Sequence, residues 1–78
     1  MHEVGVAREM LKIALDQGGG RQVVRMKIAL ADDGHTTPES LTHAFAMVAR
    51  GTPAEGARLT IERTAELESR VIELDVQK

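Results

Sequence analysis

The spacing of apolar residues changes repeatedly along this chain, and each change marks an element. From Val4 to Asp16, Val4, Ala7, Leu11, Ala14 and Leu15 recur at helical intervals, with Val6, Met10 and Ile13 flanking them. Gly18-Gly19-Gly20 closes that helix, because one glycine suffices for a left-handed cap and a run of them makes a flexible turn. The period then falls to two. Val24, Met26, Ile28 and Leu30 alternate with Arg25, Lys27 and Ala29, which predicts a strand with one wet face. Asp32-Asp33-Gly34-His35-Thr36 reads as a polar turn.

A second helix is announced by Thr37 as N-cap, Pro38 in the first helical position and Ser40 in the third. Leu41, Ala44, Phe45 and Val48 form its apolar stripe, Gly51 stops it, and Pro53 prevents its resumption. After a loop from Thr52 to Gly56, Leu59 and Ile61 alternate with Arg58, Thr60 and Glu62, which predicts a second strand. Ile72, Leu74 and Val76 alternate with Glu73, Asp75 and Gln77, which predicts a third. The link between these strands, Thr64 to Ser69, is short, so antiparallel pairing of one with the other is expected. The first and second strands are joined by a whole helix, so a right-handed parallel crossover is expected there. The order is α-β-α-β-β, an α+β fold with two helices packed on one face of a three-stranded mixed sheet. Arg25, Lys27, Arg58, Glu62, Glu73 and Asp75 lie on the opposite, wet face. With no internal repeat or linker, residues 1–78 are read as a single domain.

Composition narrows the function. A chain of 78 residues buries only about 60% of the surface its unfolded form exposes, so its core is efficient or is completed by a partner subunit. Phe45 is the only aromatic residue, which leaves no platform for stacking bases, and a net charge of -2 supplies no basic stripe. Nucleic-acid and anionic-membrane partners are therefore not expected. The absence of cysteine excludes disulfides, thiolate metal sites and cysteine nucleophiles from this sequence. No stretch approaches the roughly 18 apolar residues of a membrane span. No basic segment followed by an apolar one opens the chain, so no signal peptide is expected, the protein is read as cytoplasmic, and Met1 is read as the mature N-terminus.

Candidate chemistry lies in Met1-His2-Glu3, in the Asp32-Asp33-Gly34-His35 turn and at His43. In the first, a terminal amine, a neighbouring imidazole and the intervening backbone amides form a compact set of nitrogen donors. Successive backbone nitrogens close five-membered chelate rings, and such a square-planar site suits Ni(II) or Cu(II) better than Zn(II). The same residues also read as a solvated first helical turn in which Glu3 complements the helix dipole. The Asp32 to His35 segment reads either as a group of ligands or as an ordinary turn. His43, beside the stripe of Phe45 and Val48, reads as a ligand or as a structural side chain at the edge of the core. No nucleophile-base-acid arrangement is present, and the triple glycine follows a helix and precedes a strand, the reverse of a phosphate cradle. Catalysis is not expected.

Met1-His2-Glu3-Val4 with Val6-Ala7 and Leu11 resembles the opening of the HypA family of hydrogenase and urease nickel-incorporation proteins. Pro38-Glu39-Ser40-Leu41 with Ala44-Phe45, and the run from Gly51-Thr52-Pro53-Ala54-Glu55-Gly56-Ala57 through Leu59 and Ile61-Glu62, are similar to the same family in the same order. The resemblance covers the family's nickel-binding domain and implies the fold derived above. It implies that Ni(II) is held by the His2 imidazole, the Met1 amine and the backbone nitrogens of His2 and Glu3. It further implies delivery of nickel to a hydrogenase large subunit in concert with a maturation GTPase. Two departures stand out. Family members carry a zinc module with paired CxxC motifs between the second and third strands, where this chain has only a few residues around Ala65-Glu66-Leu67, so no zinc site is expected. Ala31 to His35 and His43 stand where the family favours glycine, apolar and aromatic residues. The alternative expectation is an adaptor derived from this family that binds a maturation protein, or itself as a homodimer, without delivering metal.

Overall fold

The computed structural model describes residues 2–32 and 34–78, with the backbone alone at residue 2. Its elements are α1 (His2–Gly18), β1 (Val23–Ala31), α2 (Pro38–Val48), β2 (Arg58–Thr64) and β3 (Arg70–Val76). This is the expected α+β order, with both helices packed on a three-stranded mixed sheet.

Helix α1 buries Ala7, Met10 and Ala14, positions three and four apart that form one stripe. Val4, Val6, Leu11, Ile13 and Leu15 pack around that stripe. Gly19 and Gly20 take φ values of 60° and 87°, the left-handed region that ends the helix with little steric cost at glycine. Helix α2 begins as its sequence dictates. Ser40 N donates to Thr37 Oγ1 at 3.0 Å while Thr37 N donates to Ser40 Oγ at 2.9 Å, a reciprocal capping box. Leu41, Ala44 and Phe45 carry its buried face. After the Ala49 cap, the chain folds through tight turns. Thr52 Oγ1 donates to Ala49 O at 2.7 Å and accepts from Ala54 N at 3.1 Å. Ala54 is completely buried, and Pro53 O accepts from Val23 N at 2.8 Å. The Gly51 to Ala57 run is thus a plug that fastens the end of α2 to the start of β1.

The sheet order is β2-β1-β3, with β1 parallel to β2 and antiparallel to β3. The expected parallel crossover is present, but β3 pairs with β1 and not with β2. Burial explains the correction. Strand β1 buries Val23, Met26, Ile28, Ala29 and Leu30, whereas no residue of β2 or β3 is fully buried, so the most apolar strand takes the centre. The link after β2 crosses the end of β1, and Ala31 N donates to Ser69 Oγ at 2.8 Å.

A second correction concerns which residues face inward. Val23 is opposite Val76 and Arg25 opposite Asp75, so Val24 is an extra residue in β1; Lys27 is opposite Glu73 and Ile28 opposite Val71, so Ile72 is an extra residue in β3. Each is a β-bulge, which slips the alternation by one position. Val24 and Ile72 are consequently exposed, while Val23 is buried and Val71 packs against the core. Ala29, expected on the wet face, is buried between Glu62 and Arg70 in the neighbouring strands. The remaining charged positions fall as expected, and ion pairs Arg25–Asp75 (2.9 Å) and Lys27–Glu62 (3.0 Å) tie β1 to its two neighbours across that face.

Candidate functional site

Strand directions fix what lies beside the first turn of α1. Strand β1 ends at Ala31, β2 runs parallel to it and ends at Thr64, and β3 starts back from Arg70. At the opposite end of the sheet, Gly18 lies against Val23 and Val76, so α1 runs back over the sheet from the Ala31 end. Val6 and Glu9 of α1 share a shallow cavity with Ala31, Leu67, Glu68 and Ser69. One end of the molecule therefore gathers the start of α1, the turn that leads into α2, and the link between β2 and β3.

Of the candidate nickel residues, Met1 and the side chain of His2 lie outside the described residues. Glu3 is half-buried in the first turn of α1, where its carboxylate complements the positive end of the helix dipole. The helix begins at His2, and the first N–H groups of a helix have no intrahelical acceptor. The backbone nitrogens of residues 2 and 3 are therefore not consumed by the helix ladder. Helical ψ near −42° also folds successive backbone nitrogens toward one another, as a chelate of amide nitrogens requires.

The other described candidates lie on separate elements, the turn after β1 and helix α2. Gly34 N donates to Asp32 Oδ1 at 2.9 Å, a local turn that occupies the Asp32 carboxylate, and Asp33 lies outside the described residues. His35 is exposed in that turn. His43 is exposed on α2 and lines a groove with Met47, Ala54 and Leu59, on the β2 side of the molecule. Among the described residues no group of three His, Cys, Asp or Glu side chains is placed to hold a metal ion. Lys27, on the far sheet face, has its pKa raised above the ordinary 10.5 by its hydrogen bond to Glu62, by the charge of Glu62 and by that of Glu73. Leu67 and Ser69 carry no periodic signal in the sequence, yet the crossing of the link brings them to the same shallow cavity as Val6 and Glu9 of α1. Leu67, flanked by Glu66 and Glu68, is almost wholly exposed.

No helix among the described residues is long and apolar enough to cross a membrane. The family model described as hydrogenase/urease nickel incorporation, metallochaperone, hypA matches residues 1–69, from the first residue through the link after β2. The hydrogenase maturation factor HypA of Geobacter metallireducens is 33% identical over 63 residues, covering 81% of this chain and 57% of that protein. The one from Geotalea uraniireducens is 31% identical over 67 residues, covering 86% of this chain and 61% of that protein. The one from Deinococcus radiodurans is 35% identical over 66 residues, covering 81% and 55%. The chain thus spans less than two thirds of the length of these curated relatives. The matched region takes in the Met1-His2-Glu3 segment, the capping box of α2 and the Gly51 to Ala57 plug alike, and on that match the chain belongs to the HypA family.

Proposed function

We propose that this chain is a nickel-binding metallochaperone that assists nickel insertion during hydrogenase maturation, holding Ni(II) at Met1-His2-Glu3. The observation that carries the reading is a family match over residues 1–69, which takes in Met1-His2-Glu3 and the helix in whose first turn Glu3 lies. The donors are the Met1 amine, the His2 imidazole and the backbone nitrogens of His2 and Glu3. Nickel is the cargo. Ni(II) favours a tetragonal nitrogen set and drives the amides to deprotonate, so its affinity rises with pH across neutrality. The chain contains no cysteine, and a zinc site of the thiolate kind is not part of the proposal.

On this reading residues 1–78 act as one nickel-handling domain in the cytoplasm, and delivery rather than catalysis is their task. The receiving partners are a maturation GTPase and a hydrogenase large subunit. Exposed Leu67 between two glutamates, near Val6 and Glu9 of α1, gives that end of the molecule a point of apolar contact for a partner.

The test is a Ni(II) titration of the chain beginning at Met1, followed by the visible absorption of a yellow square-planar species near neutral pH. His2→Ala and a form extended by two residues before Met1 are each expected to abolish that species. Equal binding by the extended form would refute the terminal-amine site and direct attention to His35 and His43. Absence of binding by the unaltered chain would leave the adaptor reading, in which the domain recruits a maturation protein without carrying metal.

A further inference from the structure

Among the described residues the sheet has two open edges, because β1 occupies the centre and β2 and β3 have no further neighbour there. Open edges are templates for pairing, and natural proteins commonly blunt them. Strand β3 is blunted: it carries the Ile72 bulge, and a symmetric antiparallel copy of it would set Glu73 against itself or against Asp75. Strand β2 has no such protection. Its pairing with β1 runs from Arg58 to Thr64 without a register shift, and it contains no proline.

We propose that β2 pairs antiparallel with β2 of a second copy of this chain, about a two-fold axis at Thr60, to form a continuous six-stranded sheet. This assignment is independent of nickel binding. The register follows from the side chains. With Thr60 opposite Thr60, Arg58 falls opposite Glu62 and Leu59 opposite Ile61. Each pair lies on a single sheet face, as directly opposed residues in an antiparallel ladder do. Both opposite-charge pairs then sit on the wet face and both apolar pairs on the helix face. Shifting the axis by one residue to Ile61 sets Leu59 against Arg63, and shifting it to Glu62 sets like carboxylates together. Arg58 has no ion-pair partner among the described residues, so the register supplies one.

The helix layer agrees. Leu59 and Ile61 are half-buried within one copy, which leaves apolar surface for the opposed pair to cover. Beside the β2 edge, α2 and the Gly51 to Ala57 plug leave a groove lined by His43, Phe45, Met47, Ala54 and Leu59, and Met47 is 53% exposed. A two-fold axis perpendicular to the sheet keeps both helix layers on one side and turns these two grooves toward each other. The interface is isologous, as a closed dimer requires.

Because the chain has no cysteine, a single introduced thiol reports on the axis without background. In chelator, so that metal plays no part, the unaltered chain is expected to sediment as a dimer at tens of micromolar (an order-of-magnitude setting typical of modest interfaces). Thr60→Cys is expected to form a covalent dimer on mild oxidation far faster than Glu62→Cys, since only the former meets its own copy. Arg58→Glu and Glu62→Arg should each weaken the dimer about tenfold, and the double swap should restore it, since two symmetric pairs change sign together. Melting curves confirm that each variant folds. A monomer at all concentrations, equal cross-linking of the two thiols, or a double swap no stronger than its parents would each overturn the proposal.

Discussion

Thr37 and Ser40 satisfy two amide donors at the start of α2, one in the first turn and the other at the cap itself. Thr37→Ala removes the side-chain acceptor and is expected to cost about 1 kcal/mol in urea unfolding, while Thr37→Ser, which keeps the oxygen, stays near the parent. This feature was legible in the sequence because capping is a local code, written in residues a few positions apart. The chemistry of Met1-His2-Glu3 is also local, but a donor set alone does not distinguish a metal site from a solvated helical turn. Lys27 is different again, since its partner Glu62 lies on another strand and only the parallel register brings the two to 3.0 Å. Its folded pKa is raised above the ordinary 10.5, so the pair's stabilisation is complete below about pH 10 and is lost as pH rises through the raised value. Melting temperatures are therefore expected to fall more steeply above about pH 10 for the parent than for Lys27→Gln, which has no proton to lose.

Every element was legible from apolar spacing, yet two strands were read in the wrong phase over part of their length. The cause is the same in each. Val23-Val24 and Val71-Ile72 are adjacent apolar pairs, so the alternation can be counted from either member, and a bulge chooses between them. A period of two assumes an uninterrupted ladder, and nothing within a single strand records where its partner skips a residue. The phases predict opposite sensitivities at neighbouring positions. Val23, 1% exposed, should lose about 2 kcal/mol on truncation to alanine, the transfer loss of its methyl groups together with the cavity they leave. Val24→Thr and Ile72→Thr should change stability by no more than about 0.5 kcal/mol, because both side chains already face water. Denaturant midpoints of these three variants decide the matter, and a large loss at Val24 with none at Val23 would restore the uninterrupted alternation.

At the scale of the molecule, the helix-on-sheet layering was legible because each amphipathic stripe must be covered, whereas strand order was not. A short link favours pairing of the strands it joins, but β1 carries all of the sheet's fully buried residues and is covered best with a neighbour on each side. Hydrophobic burial along nine residues outweighed the convenience of a hairpin, and the link crossed over the end of β1 instead. A crossing link has a different mechanical role from a hairpin turn. It sets no register between β2 and β3, since they share no ladder, and its fixed point is Ser69 Oγ against Ala31 N. Inserting about ten glycine and serine residues after Leu67 should therefore cost only about 1 kcal/mol, the entropy of closing a longer loop, with the fold retained. Ser69→Ala should cost about as much or more, because it leaves a part-buried N–H without an acceptor. Had β2 and β3 formed a hairpin, the insertion would have destroyed the turn that fixed their register and Ser69 would have been dispensable. Amide exchange at Ala31 in the two variants separates these cases: protection survives the insertion and is lost with Ser69→Ala.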